Sequence, residues 1–258
     1  MMANAKGDFI WYELVTTDAD AAQRFYGEVV GWTAADSGVA GIDYRLLEAG
    51  DGYAGGLMQL SPDMQAGGAR PMWLGYVGVP DVDTAVEDWV AAGGSVRMPA
   101  MDVPEVGRMA LLADPDGALI SVMRGASDET SDVFRTADPR HVRWNELAAA
   151  DDVAALAFYG ERFGWTCKGA MPMGEMGNYS FIAASGVTIG AVMRAQGGSG
   201  ARWMFYFGVE DIDAAAAKVR EGGGEVLDGP HEIPGGEFSL HGRDPQGAAF
   251  GLVGPRTA

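Results

Sequence analysis

Two glutamates stand out as groups that could do chemistry, because each interrupts an otherwise apolar segment. Glu13 lies in FIWYELV and Glu146 lies in VRWNELA. Side chains alternate along a strand, which would put Glu13 on the same face as Trp11 and Glu146 on the same face as Trp144. A buried carboxylate is either paired or protonated, and both states suit a proton-transfer group or a hydrogen-bond acceptor for a ligand. The alternative is a glutamate that accepts backbone N–H groups and only holds the sheet together.

Other candidate ligand contacts are aromatic, methionine or hydroxyl side chains on further strands. Trp73 and Tyr76 are three residues apart, so one of them would face the ligand and the other would pack outward. Methionines near the site would supply an adaptable apolar wall. Core packing is the alternative explanation for these aromatic and methionine residues. The predicted ligand contacts are Trp11, Trp144, Trp73, Tyr76, Trp203, Tyr206, Met58 and Ser121.

These residues occur in pairs because the chain repeats itself. Residues 9–33 and 142–166 align with 13 identities in 25 positions. Two further blocks recur later, WLGYVGVPDVD as WMFYFGVEDID and DPDGA as DPQGA. A repeat of this length has the size of a domain rather than of a solenoid unit. We predict domains at 8–125 and 140–258, joined by a small, polar linker at 126–139.

Each repeat shows the same order of elements twice. An alternating apolar strand is followed by a helix that an aspartate caps, such as Asp18 or Asp81, and then by three short strands. Glycines such as Gly31 supply the left-handed residue that ends a helix. The sequence therefore predicts an α+β fold in which a βαβββ module occurs four times.

The motifs stand in an order that is typical of a known family. Asp-x6-Phe-Tyr followed by Gly-Trp begins at Asp18 and Asp151, and Asp-Pro-x-Gly begins at Asp114 and Asp244. This pattern resembles the vicinal oxygen chelate superfamily of glyoxalases, bleomycin-resistance proteins and extradiol dioxygenases. It is most similar to the two-domain glyoxalase-like proteins of the actinobacterial hydroxylase or 27 kDa antigen type. The resemblance implies a cupped eight-stranded mixed sheet in each domain, open onto a ligand cavity.

The resemblance also locates the strand positions from which metal-using members take their His, Gln and Glu ligands. Those positions are Trp11, Trp144, Leu74, Met204, Ser121 and Gly251 in this sequence. None carries a usual ligand for a divalent ion, and only Gln59 nearby could contribute. The resemblance thus implies neither a metal nor another cofactor. The alternative is a pair of histidines, His231 and His241, which could face each other across a hairpin.

Composition limits the partners and the compartment. The 258 residues include 36 acidic and 18 basic side chains, a formal charge of −18. A field of that sign repels phosphate backbones and anionic lipid, so we expect no nucleic-acid or membrane partner. The single cysteine, Cys167, is expected to be a buried, inert thiol in the reducing cytoplasm. No apolar segment is long enough for a signal peptide or a membrane span.

Two functions follow from these observations. The first is a metal-free protein that binds a small, partly apolar or aromatic molecule in a cup in each domain. The second is a glyoxalase-like lyase or isomerase, or a hydroxylase or dioxygenase, that uses Glu13 or Glu146 as a base with or without a divalent metal. The altered ligand positions in both domains favour the first. Single-domain relatives tend to dimerise, so the tandem repeat implies a monomer with an internal pseudo-dimer.

Overall fold

A computed structural model describes residues 4–39, 41–198 and 200–257 of the chain. The first three residues, where a signal peptide would begin, and Ala258, the end of the predicted second domain, lie outside the described residues. The elements of the first repeat are β1 (Phe9–Thr16), α1 (Ala19–Val29), β2 (Thr33–Asp36), β3 (Tyr44–Glu48), β4 (Tyr53–Gln59), α2 (Pro62–Ala66), β5 (Met72–Gly78), α3 (Val82–Ala91), β6 (Ser95–Val103), β7 (Gly107–Ala113) and β8 (Leu119–Gly125).

The second repeat has the same order of strands and longer helices, and a 3-10 turn at Gly174–Met176 follows its second strand. Its elements are β9 (Val142–Ala149), α4 (Asp152–Phe163), β10 (Thr166–Pro172), β11 (Asn178–Ala184), β12 (Val187–Arg194), β13 (Arg202–Gly208), α5 (Ile212–Glu221), β14 (Glu225–Glu232), β15 (Phe238–Arg243) and β16 (Ala249–Gly254). None of the described helices is long and apolar enough to cross a membrane.

Aspartates begin the longer helices, as the sequence predicts. The side chain of each accepts a hydrogen bond from a backbone N–H of the first helical turn, which satisfies a donor that has no partner within the helix. At the start of α1, for example, Oδ1 of Asp18 accepts from the N–H of Ala21 at 2.9 Å. The four capping residues are Asp18, Asp81, Asp151 and Asp211.

The strands form two eight-stranded mixed sheets. Their orders are β2-β3-β4-β1-β5-β8-β7-β6 and β10-β11-β12-β9-β13-β16-β15-β14. In the first sheet, β1 runs parallel to β4 and β5 runs parallel to β8, while β3 is antiparallel to β4 and β7 is antiparallel to β8. This arrangement confirms the predicted α+β fold with two βαβββ modules in each repeat.

The compact units of the structure are composed differently from the repeats of the sequence. Gly75–Ser131 and Trp144–Met204 form most of one unit, called here the first unit. Trp11–Leu74 and Phe205–Ala258 form most of the other, called the second unit. Each unit therefore combines a module from one repeat with a module from the other. The repeat boundaries at 8–125 and 140–258 stay a prediction.

In the second unit, two of the repeated motifs meet in a buried cluster. The hydroxyl of Tyr26, from the Phe-Tyr-Gly-Glu motif of α1, donates to Oδ2 of Asp244 in the Asp-Pro-x-Gly turn at 3.1 Å. Nε1 of Trp73 donates to the tyrosine oxygen at 2.9 Å. Burial raises the pKa of Tyr26 well above its usual value and also raises the pKa of Asp244. Backbone N–H groups at 246–248 donate to the same carboxylate.

The first unit contains the matching cluster. Tyr159 of α4 donates to Oδ2 of Asp114 at 3.0 Å, and Nε1 of Trp203 donates to the Tyr159 oxygen at 3.1 Å. The rings of Tyr159 and Trp165 stack with centroids 5.4 Å apart. The motifs that make the repeat recognisable therefore join a module of one repeat to a module of the other within each unit.

The cysteine lies where the sequence does not predict it. Cys167 is exposed, so the expectation of a buried thiol is wrong. The reason is its element: β10 is the edge strand of its sheet, and most of its side chains are exposed.

We predict that Tyr26→Phe and Tyr159→Phe each destabilise the protein. Both changes leave a buried indole N–H without its acceptor and a buried carboxylate with one donor fewer, a loss of about 1–3 kcal/mol. The free energy of unfolding from urea titration measures the effect. The control is Tyr53→Phe, at a side chain that is 45% exposed, for which we expect a change within about 0.5 kcal/mol. Equal values for all three variants would show that the clusters contribute no stability.

Candidate functional site

A tyrosine joins each glutamate to the tryptophan that shares its strand. In the second unit, Nε1 of Trp11 donates a hydrogen bond to the hydroxyl oxygen of Tyr44 at 2.8 Å. Tyr44 in turn forms a side-chain hydrogen bond with Glu13. We call each hydrogen-bonded Trp–Tyr–Glu chain a relay. The glutamate and the tryptophan were predicted from the sequence, and the tyrosine was not.

Strand register explains why these side chains meet. Glu13 on β1 lies beside Gly56 on β4, and Tyr44 on β3 lies opposite Met58 on β4. Because side chains alternate along a strand, Trp11, Glu13, Tyr44 and Met58 share one face of the sheet. Trp11, Tyr44 and Met58 are half-buried, whereas Glu13 is 7% exposed. The predicted contact Met58 thus lies next to the relay.

A glycine between the strands makes room for the tyrosine. A Cβ at Gly56 would lie 2.1 Å from the hydroxyl oxygen of Tyr44 and 2.5 Å from its Cζ. The phenol therefore crosses β4 directly over Gly56, which carries its hydroxyl from β3 to the carboxylate on β1. A side chain at this position would displace the ring.

The first unit contains the same relay. Nε1 of Trp144 donates to the hydroxyl oxygen of Tyr179 at 2.7 Å, and Tyr179 donates to Oε2 of Glu146 at 2.7 Å. The two rings are nearly parallel, with 7° between their planes. Ala191 lies beside Glu146 on β12, in the position that Gly56 holds beside Glu13 on β4. This relay therefore tolerates a methyl group where the other has none.

Burial determines the direction in which hydrogen bonds are donated along both relays. It raises the pKa of Tyr44 and of Tyr179 well above the usual value, and the charge of the neighbouring glutamate adds to the effect. Both phenols therefore stay protonated and keep one O–H to donate. An indole nitrogen can only donate, so the protons point from tryptophan to tyrosine to glutamate. The carboxylate ends the chain, and a carboxylate can accept several hydrogen bonds, including one from a ligand.

The side chains at the family's metal positions do not form a ligand set for a divalent ion. The indole nitrogens of Trp11 and Trp144 have no lone pair to give, and their N–H groups bond the relay tyrosines. Gln59 is engaged elsewhere: its Oε1 accepts from the N–H of Ala19 and its Nε2 donates to the carbonyl of Thr17, both at 2.8 Å. Across residues 4–39, 41–198 and 200–257, no three His, Cys, Asp or Glu side chains are grouped to hold a metal.

Two of the predicted ligand contacts lie in the packed interior instead. Trp73 and Trp203 are 6% and 8% exposed, and their N–H groups bond Tyr26 and Tyr159 in the buried clusters. The ring of Trp73 also packs against Phe207, with centroids 4.6 Å apart. Each tryptophan precedes a tyrosine by three residues, and this spacing alone does not determine which of the two side chains faces outward. Packing against the first-module helix of the same repeat, whose tyrosine lies 47 or 44 residues away in the sequence, decides it.

The remaining predicted contacts lie on the second-module strands. In the first unit, Tyr76 on β5 lies beside Ser121 on β8, and both are buried. Oγ of Ser121 has no hydrogen-bond partner in the described part of the chain. The corresponding pair in the second unit is Tyr206 on β13 and Gly251 on β16.

The two histidines do not face each other across their hairpin. A register shift between β14 and β15 pairs Asp228 with His241, and His231 with Ser239. Nε2 of His231 lies 2.9 Å from Oδ1 of Asp228. Nε2 of His241 instead lies 2.5 Å from the hydroxyl of Tyr206.

Two open pockets in the second unit lie away from the relay. One, of about 620 Å³, is lined by Gln23, Ile42 and Arg45 among others. Asp20 and Asp43 already pair with Arg45, at 2.7 and 2.8 Å, so its guanidinium group is not free to bind an anionic ligand. The other, of about 370 Å³, lies between α1 and α5, and its lining combines two acidic and two basic side chains with apolar residues such as Phe25.

Comparison with known proteins gives the same family twice along the chain. The model of the glyoxalase/bleomycin resistance protein/dioxygenase superfamily matches residues 9–122 and 140–252. A Mycobacterium tuberculosis protein provisionally named glyoxylase CFP32 is 35% identical over 256 residues, which cover 95% of this chain and 94% of that protein. The anthracycline biosynthesis protein DauV of Streptomyces sp. (strain C5) is 31% identical, over 98% of this chain and 95% of its own.

Solved structures share the fold at low sequence identity. The Mn(II)-bound glyoxalase from Novosphingobium aromaticivorans aligns with a TM-score of 0.66 and 16% identity, over 98% of this chain and 84% of that one. The 2,3-dioxygenase LapB from Pseudomonas sp. KL28 aligns with a TM-score of 0.64 and 13% identity, over 98% and 94%. By the match of both repeats and the identity to full-length relatives, this chain belongs to the glyoxalase/bleomycin resistance protein/dioxygenase superfamily.

Proposed function

We propose that this chain is a metal-independent binding protein for a small, partly apolar or aromatic molecule, held at the relay of each unit. One observation carries the proposal: the same Trp–Tyr–Glu relay stands in both units, at the strand position where metal-using relatives place a ligand. The tryptophan offers a flat apolar surface, and the glutamate beside it accepts a hydrogen bond from an N–H or O–H group. A small molecule with an apolar ring and one donor matches both.

The surroundings of the relays support this proposal. Trp11, Tyr44, Trp144 and Tyr179 are half-buried, so each relay is shielded without being sealed into the core. Met58 adds an adaptable apolar side chain beside the relay of the second unit. The relative DauV takes its name from the biosynthesis of a small organic compound, which is in keeping with a small-molecule ligand here.

We predict that removing divalent metals leaves ligand binding unchanged. With 1-naphthol as the probe, quenching of tryptophan fluorescence should give the same dissociation constant before and after exhaustive dialysis against EDTA, because neither relay offers a metal its ligands. Adding Mn²⁺ should not tighten binding. Loss of binding after chelation would contradict the proposal. Recovery of the naphthol unchanged after incubation would separate binding from turnover.

The two relays can be tested separately at the positions beneath their tyrosines. Gly56→Ala should displace Tyr44 and break the relay of the second unit, at a cost in stability of about 1–3 kcal/mol. Titration calorimetry with 1-naphthol should then show one site fewer than in the unchanged protein. The matched control is Ala191→Gly, which removes a methyl group that Tyr179 already accommodates and should leave the number of sites unchanged. An unchanged number of sites in folded Gly56→Ala protein would show that the relay of the second unit binds nothing.

A further inference from the structure

A hydrogen-bonded pair on the second-module strands of the second unit has no part in either relay. The ring of Tyr206 lies over Gly251, where a Cβ would come within 2.4 Å of its Cδ1. Gly251 lies beside Tyr206 in one ladder and opposite His241 in the next. The phenol therefore crosses β16 and meets Nε2 of His241 on β15 at 2.5 Å.

The first unit lacks this pair. Ser121 occupies the position of Gly251, beside Tyr76, and Leu111 occupies the position of His241. The Cβ of Ser121 fills the space over which the ring of Tyr206 lies in the other unit. A tyrosine–histidine pair therefore exists in one of the two units, although the tyrosine is present in both.

The second ring nitrogen of His241 is available to a ligand. The described residues place no hydrogen-bond partner at Nδ1. The ring is half-buried, and Asp228, which faces it across the ladder, is exposed, so this edge of the pair reaches solvent. Nδ1 can accept a hydrogen bond when Nε2 carries the proton and donates to Tyr206, or donate one when Tyr206 donates to Nε2.

Nearby charge selects the kind of ligand. The hydrogen bond with His231 lowers the pKa of Asp228, so a carboxylate faces this pair at neutral pH. The whole chain carries a formal charge of −18. Both disfavour an anion, whereas a neutral hydroxyl group is not repelled.

We propose that the Tyr206–His241 pair is a separate contact that binds the hydroxyl group of a small neutral molecule, such as a phenol or an enol, through Nδ1 of His241. The contact belongs to the second unit alone. The contact uses neither relay, so this proposal is independent of whether a ligand binds at the relays.

The test uses the full chain with ¹⁵N-labelled histidine and 4-methylphenol, which is uncharged at neutral pH, as the probe. The chain has three histidines, so each imidazole can be assigned with single variants. Titration should shift the ring-nitrogen signals of His241 and leave those of His231 and His141 in place. The ether 4-methylanisole, which has no hydroxyl proton, should bind at least about tenfold more weakly to this contact, as expected for the loss of a hydrogen bond to a polar partner.

Variants make the assignment specific. His241→Leu introduces the residue that the first unit has at this position, and Tyr206→Phe keeps the ring over Gly251 while removing its hydroxyl. Both should lower the preference for 4-methylphenol over 4-methylanisole by about tenfold, whereas His231→Leu, on the same hairpin, should retain it. Unshifted His241 signals while 4-methylphenol quenches tryptophan would overturn this inference and leave the relay proposal standing. If the probe neither shifts the His241 signals nor quenches tryptophan fluorescence, this inference is overturned as well.

Discussion

An indole N–H can only donate a hydrogen bond, and that constraint determines what lies beside the tryptophans of this fold. In four places a tryptophan donates to a tyrosine hydroxyl that is bonded to a carboxylate. The four chains are Trp11–Tyr44–Glu13, Trp144–Tyr179–Glu146, Trp73–Tyr26–Asp244 and Trp203–Tyr159–Asp114. A phenol hydroxyl can both accept from the indole and donate onward to the acid, and its ring lets it reach across a strand. The same three groups thus occur in two environments. Two of the chains lie in the packed interior, and two lie at half-buried faces of the sheets.

The difference between these chains is their burial, and burial decides what each can do. Tyr26 and Tyr159 are fully enclosed, and their aspartates are surrounded by backbone donors from their own turns. Such chains can hold modules together but cannot meet a ligand. The relays instead keep an indole and a phenol partly exposed beside a buried carboxylate. The chemistry is shared, so partial exposure is what distinguishes the relays, where we propose binding, from the buried clusters.

Local pattern was enough to predict the modules, the helix caps and the pairing of Trp11 with Glu13 on one face, because these follow from periodicity within a single element. Tyr44 was missed because it lies on another strand, 33 residues from Trp11, and only strand register brings them together. The available signal was a tyrosine near the start of the same strand in both repeats. Trp73 was misplaced for the same reason: its partner Tyr26 lies on a helix 47 residues away, and no spacing rule links the two.

Single carbon atoms then determine where the two repeats differ. A tyrosine reaches across a strand only if the residue beneath its ring is small, as Gly56 and Gly251 show. Where Ala191 replaces the first of these, the relay persists, so a methyl group is tolerated there. In the first unit, Ser121 occupies the position of Gly251, and Leu111 occupies the position of His241. Tyr179 accommodates the methyl group of Ala191. In the second unit, a Cβ at Gly56 would clash with Tyr44, and a Cβ at Gly251 would clash with Tyr206. The two units therefore share the Trp–Tyr–Glu relay on their first-module strands. They differ in the side chains of their second-module strands.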